Sequence, residues 1–119
     1  MRILVIDDEV EVANLLADAV RTQGHEAIVA HDGTQGLALL GQTRPDAVFL
    51  DVRMPDVSGI SVLRTIREIY GALPVILITG HAVKEEIEEA RRLGVTEILD
   101  KPFFLNHLTE ALAGLGARG

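Results

Sequence analysis

Five polar side chains each stand at the end of an apolar run. Asp7 and Asp8 follow Ile3-Leu4-Val5-Ile6, Asp51 follows Ala47-Val48-Phe49-Leu50, Thr79 follows Val75-Ile76-Leu77-Ile78, and Lys101 follows Ile98-Leu99-Asp100. Three oxygen-donor carboxylates, with no cysteine in the chain and no histidine at ligand spacing, suit Mg²⁺, which takes a few carboxylates plus waters and phosphate oxygens. Brought together without a cation, such carboxylates would repel one another and raise at least one pKa. Lysine supplies a fixed positive charge for phosphoryl oxygens, and threonine supplies a hydroxyl donor. A nucleophilic carboxylate, a cation site, an ammonium and a hydroxyl are what an aspartyl-phosphate mechanism requires; an ionised carboxylate needs no general base. Asp51 is the candidate nucleophile. Taken singly, these residues have plainer uses, since aspartates cap helices and form turns and threonine suits strands. The signal is the ordered set.

The elements that must position them can be read from periodicity. Ile3–Ile6, Ala27–Ala30, Ala47–Asp51, Val75–Thr79 and Glu97–Pro102 read as short strands, apolar enough to be buried on both faces of a parallel sheet. Between them, apolar residues recur at helical spacing: Val12, Leu15, Leu16, Ala19 and Val20; then Leu37 and Leu40; then Ile60, Leu63 and Ile66; then Val83, Ile87 and Ala90; and finally Leu105, Leu108, Ala111 and Leu112. Gly24, Gly71 and Gly94 mark helix ends, and the second helix must stop before Pro45. In the fourth helix, Lys84, Glu85, Glu86, Glu88, Glu89, Arg91 and Arg92 read as a solvated face, with Lys84–Glu88 and Glu88–Arg92 at ion-pair spacing. Five strands alternating with five helices imply an α/β fold, a doubly wound parallel sheet with right-handed crossovers. All carboxyl ends of such a sheet share one edge, where ligands bind, so residues far apart in sequence can converge there.

At 119 residues and 48% hydrophobic, the chain is of single-domain size. We expect a domain over residues 1–113 and a flexible tail or linker start over 114–119, where Gly114-Leu115-Gly116 begins. The absence of cysteine and of an N-terminal apolar segment long enough for a signal or a span points to the cytoplasm. A net charge of −7 and a pI of about 4.9 argue against direct nucleic-acid binding by this chain, and no membrane segment is expected.

With these residues in hand, the sequence resembles the receiver domain of two-component response regulators, the CheY-like family, from Arg2 to about Ala113. The matching motifs are Asp7-Asp8, Asp51-Val52-Arg53-Met54-Pro55 with Gly59 beyond, Thr79-Gly80, and Lys101-Pro102-Phe103. The resemblance implies a flavodoxin-like (βα)5 fold with strand order 2-1-3-4-5. It implies that Asp51 accepts a phosphoryl group from a phosphohistidine on a sensor histidine kinase or phosphotransfer protein, catalysing only its own phosphorylation and dephosphorylation. Asp8 would bind Mg²⁺ directly and Asp7 through water, with Asp51 and the backbone carbonyl of Arg53 completing the protein ligands. Lys101 would pair with the phosphoryl group and Thr79 would donate to it. An altered conformation would then control an output partner or domain whose identity the sequence does not carry. The Lys101–Pro102 bond matches one that is cis in the family, although only about 5 to 6% of such bonds are cis in folded proteins.

Some positions depart from the family pattern or stay open. Ile98, three before Lys101, replaces an aromatic residue common in receivers, so an inward-swinging ring cannot be the readout; we read it as a core strand residue. Arg53 and His81 match positions that tune dephosphorylation in receivers, while His81 could equally cap the fourth helix or face solvent. His25, His31 and His107 read as surface residues. No Lys or Arg occurs between Phe104 and Leu115, which argues against the dimer that uses basic residues there. A true aspartyl-phosphate phosphohydrolase is an alternative, but it would place its nucleophile on the first strand with a second Asp two residues on, and position 53 is Arg. A flavin module would need hydroxyls where Asp7-Asp8-Glu9 stand. A degenerate, interaction-only receiver would not need the complete set.

Overall fold

The computed structural model describes residues 1–80, 82–101 and 105–118, apart from the side chains of residues 105, 106 and 116–118. The readings of His81, Phe103 and the Lys101–Pro102 bond fall outside these residues. Five strands, β1 (Arg2–Ile6), β2 (Glu26–Ala30), β3 (Ala47–Asp51), β4 (Val75–Thr79) and β5 (Glu97–Asp100), alternate with α1 (Val10–Thr22), α2 (Gly33–Thr43), α3 (Gly59–Tyr70), α4 (Lys84–Arg92) and α5 (Leu105–Arg118). All strand pairs are parallel, in the order β2-β1-β3-β4-β5. The expected flavodoxin-like architecture and strand order are what the structure shows.

The continuous apolar runs are explained by the two layers of helices. Alternate residues of each strand face opposite ways. Ile3, Val5, Phe49, Ile76, Ile78 and Leu99 pack with Ala13, Leu16 and Val20 of α1 and with Leu108, Ala111, Leu112 and Leu115 of α5. Leu4, Ile6, Val48, Leu50, Val75 and Leu77 pack with Leu40 of α2, Ile60, Leu63 and Ile66 of α3, and Ala90 of α4. A strand covered on both faces has no polar side, so its first polar residue falls at its end. That puts the chemistry of this chain on the carboxyl edge.

The structure corrects four expectations. Leu15 lies outside the inner face of α1 and is 60% exposed, because Ala13 and Ala17 occupy the stripe with Leu16 and Val20. Val83 is the residue before α4 rather than part of its buried face, and is 48% exposed. Strand β5 ends at Asp100, so Lys101 lies just beyond the strand rather than within it. Helix α5 also does not end at Ala113 but runs to Arg118. Leu115 continues the stripe of Leu108, Ala111 and Leu112 at i+7, i+4 and i+3 spacing and is buried in the core. Burying that side chain offsets the roughly 1 kcal/mol helix penalty of each flanking glycine.

One close approach sets where α3 begins relative to Asp51. Ser58 caps the helix through its side chain, Oγ accepting from Ser61 N at 3.1 Å. Gly59 N donates to Val52 O at 2.8 Å, which presses the glycine against the end of β3. A Cβ on Gly59 would stand 2.0 Å from the Asp51 carbonyl oxygen and 2.7 Å from Val52 Cα, both rigid backbone atoms. Gly59→Ala is therefore expected to cost roughly 1 to 3 kcal/mol, as overpacking does. The check is a lower urea midpoint with the slope unchanged.

Candidate functional site

The residues singled out from sequence meet at the carboxyl edge of the sheet. Asp7, just after β1, is fully buried; Asp51 and Thr79, the last residues of β3 and β4, are 2% and 4% exposed. Carboxylate oxygens of Asp7, Asp8 and Asp51 lie within 4.8 Å of one another. Lys101, following β5, reaches past β4, so that its Nζ lies 3.0 Å from Asp7 Oδ2 and 3.4 Å from Asp51 Oδ2.

Backbone hydrogen bonds hold this edge in register. Asp7 N donates to Ala30 O at 3.0 Å, and Lys101 N donates to Thr79 O at 2.8 Å. Asp7 Oδ1 accepts from Glu9 N at 2.9 Å, and Asp51 Oδ1 accepts a longer contact from Arg53 N at 3.4 Å. Thr79 Oγ1 accepts from Ala82 N at 2.8 Å, so its own proton is left for another acceptor.

Charge is the dominant feature of the site. Burial, then the neighbouring charge of Asp7, pushes the Asp51 carboxyl up to about 7, with Lys101 opposing the shift. Burial alone would lower the Lys101 ammonium, but the carboxylates of Glu9, Asp7 and Asp51 outweigh it and hold the pKa above its ordinary value. Asp7 Oδ2 and Asp51 Oδ2 are buried and accept no hydrogen bond among the described residues, with the Lys101 ammonium as the positive charge beside them. Under-satisfied buried carboxylate oxygens in an all-oxygen donor set fit a hard divalent cation such as Mg²⁺.

Sequence reading missed four residues around the site. Glu9 sends its carboxylate to Lys101 Nζ at 2.8 Å. Asp56, in the loop after β3, accepts from Gly33 N at 3.1 Å, Thr34 N at 2.9 Å and Thr34 Oγ1 at 2.8 Å, tying that loop to the start of α2. The supposed solvated face of α4 is partly engaged. Glu86 pairs with Arg53 at 2.9 Å, and Glu89 pairs with Arg64 of α3 at 2.5 Å. These contacts span 22 to 92 residues, beyond the reach of a local pattern. Only the Ser/Asp chemistry of helix caps could have hinted at Asp56.

A doubly wound α/β domain with an acidic cluster, a lysine and a threonine on its carboxyl edge is the class that fold and site define. The family model of the response regulator receiver domain matches residues 3–113, and the chain belongs to that family. It is 40% identical over 107 residues to the regulatory protein AtoC of Escherichia coli, covering 90% of this chain and 23% of that protein. It is 35% identical to the response regulator MprA of Mycobacterium avium, covering 97% of this chain and 50% of that one. A receiver domain protein from Clostridium thermocellum superposes with a TM-score of 0.91 at 32% identity, covering 98% of this chain and 94% of that one. The chain thus spans half or less of these two curated relatives. No helix among the described residues is long and apolar enough to cross a membrane.

The raised Asp51 pKa has a signed consequence for stability. Between the ordinary value of 3.8 and about 7, the folded chain keeps a proton that the unfolded chain releases. Stability therefore falls as pH rises through that window and levels off above it. Asp51→Asn should flatten this dependence and raise the melting temperature above pH 7, by roughly 4 °C per kcal/mol of repulsion relieved. Mg²⁺ should stabilise the native chain more at pH 8 than at pH 5, where protons compete for the carboxylates. Calorimetry across pH, with and without Mg²⁺, checks both.

Proposed function

We propose that this receiver is an active phosphoacceptor, with Asp51 as the nucleophile. A carboxylate oxygen of Asp51 attacks the phosphorus of a phosphohistidine on a sensor histidine kinase or phosphotransfer protein. The P–N bond breaks, and its electron pair stays with the imidazole, which leaves neutral when its other nitrogen carries a proton. Lys101 then pairs with phosphoryl oxygens, and Thr79 donates its free hydroxyl proton to one of them. Asp7, Asp8, Asp51 and the backbone carbonyl of Arg53 would hold Mg²⁺, which supplies charge neutralisation on the transferring group when bound. The observation that carries the reading is the convergence of Asp51 with Asp7 and Lys101 at one buried point, with two carboxylate oxygens left short of partners.

The output is a shift of population toward a conformation that a partner or attached domain binds better. With Ile98 in place of an aromatic ring, the direct contacts between the site and α4 support a different route. Arg53, two residues past the phosphoacceptor, is paired with Glu86 in the first turn of α4. Glu86 Oε1 also accepts from Val83 N at 3.0 Å, so one carboxylate joins the loop of Asp51 to the helix start. The setting is the cytoplasm, and control of DNA, where it occurs, belongs to another domain, consistent with the acidic charge of this one.

Incubation with acetyl phosphate and Mg²⁺, read by intact mass, is expected to give one alkali-labile phosphate adduct on the native chain and none on Asp51→Ala. Chelation of Mg²⁺ should abolish it. With no adduct, donor consumption is followed. An untouched donor would overturn the reading, whereas a consumed one would indicate rapid turnover of the adduct.

A further inference from the structure

Lys101 carries three N–H donors, and three carboxylates surround its ammonium: Glu9 Oε1 at 2.8 Å, Asp7 Oδ2 at 3.0 Å and Asp51 Oδ2 at 3.4 Å. The side chain is only 13% exposed, so water cannot easily supply a further partner. A phosphoryl oxygen arriving at Asp51 must share this ammonium with the three carboxylates, of which Glu9 alone accepts a hydrogen bond from it among the described residues. Asp7 is a poor candidate to leave: it is fully buried, and its other oxygen is held by Glu9 N. Asp51 is the reacting group itself. Glu9 is 59% exposed and can return its charge to water at small cost.

The Glu9 contact is also not a by-product of helix capping. Glu9 precedes α1 with extended backbone at φ −79° and ψ 102°, and its side chain makes no cap hydrogen bond. It reaches instead across 92 residues of sequence to the ammonium.

We propose that Glu9 is a positioning residue for phosphoryl transfer, holding the Lys101 ammonium by a hydrogen bond in the resting protein and competing with the incoming phosphoryl group for it. The inference rests on the phosphoacceptor reading above. In the resting state Glu9 fixes the ammonium over Asp51 and Asp7, and it sets a threshold that a donor must exceed by offering better oxygens. Phosphoryl oxygens meet that demand through higher charge and several acceptors on one group.

The test uses Glu9→Gln, which keeps the backbone role and the side-chain shape while removing the charge. Phosphorylation rates are measured against acetyl phosphate concentration at saturating Mg²⁺, so that any weakening of metal binding does not enter. The half-saturating donor concentration is expected to fall roughly two- to fivefold, the range of an exposed ion pair, with the limiting rate little changed. A native chain that forms no adduct and consumes no donor would sink the phosphoacceptor reading and this inference with it. Normal phosphorylation of the native chain with an unchanged or raised half-saturation in Glu9→Gln would overturn the role of Glu9 alone.

Discussion

One ammonium set among carboxylates is the constraint on which the rest of the structure depends. Lys101 faces Asp7, Glu9 and Asp51 within 3.4 Å, with Asp8 in the same cluster, and Asp7 and Asp51 are buried. A single positive charge cannot neutralise that many acids, and burial raises the cost of those left unbalanced. Asp51 shows the result in a pKa lifted to about 7. The resting site is therefore held short of its electrostatic optimum, and a divalent cation together with a phosphoryl group would complete it. Stability and function pull in opposite directions here, as strained functional sites generally do.

The parallel sheet makes such a site affordable. Strands buried on both faces carry no polar side chains until they end, so Ile6, Leu50 and Ile78 pack as ordinary core while their neighbours Asp7, Asp51 and Thr79 emerge together on one edge. The two-layered core absorbs the imbalance at that edge, and Gly59 shows how tightly the edge is built. There α3 starts against the carbonyl oxygen of Asp51 itself, with room for no side chain.

The parts legible in the sequence were those written in local patterns. Five apolar runs, their helical interludes and the polar residue closing each run led to the element order and the residues that meet at the edge, while the strand order came from family resemblance. What escaped was set by tertiary contact. Leu15 satisfies the helical period as well as Ala17 does, yet the sheet leaves room for the small residue and turns the large one outward. Gly114 and Gly116 read as a helix end, but Leu115 between them lies on the buried stripe. Glu9 reads as an ordinary acid before a helix, and only the approach of β5 reveals its partner.

The same distinction bears on α4, the helix that links the site to the surface. Its core anchor is thin, since Ala90 is its one buried residue, and half-buried Ile98 of β5 packs on the same side of the sheet. What holds the helix otherwise is polar: Arg53 to Glu86 near its start, Arg64 to Glu89 at its middle, and Arg67 of α3 donating to Leu93 O and Gly94 O at its end. Apolar packing is short-ranged and insensitive to charge, whereas ion pairs respond to any new charge nearby. A helix anchored chiefly by arginines, one of them two residues from Asp51, is thus exposed to the electrostatics of the site. The charged residues of α4 are in that sense its means of attachment as much as its solvated face.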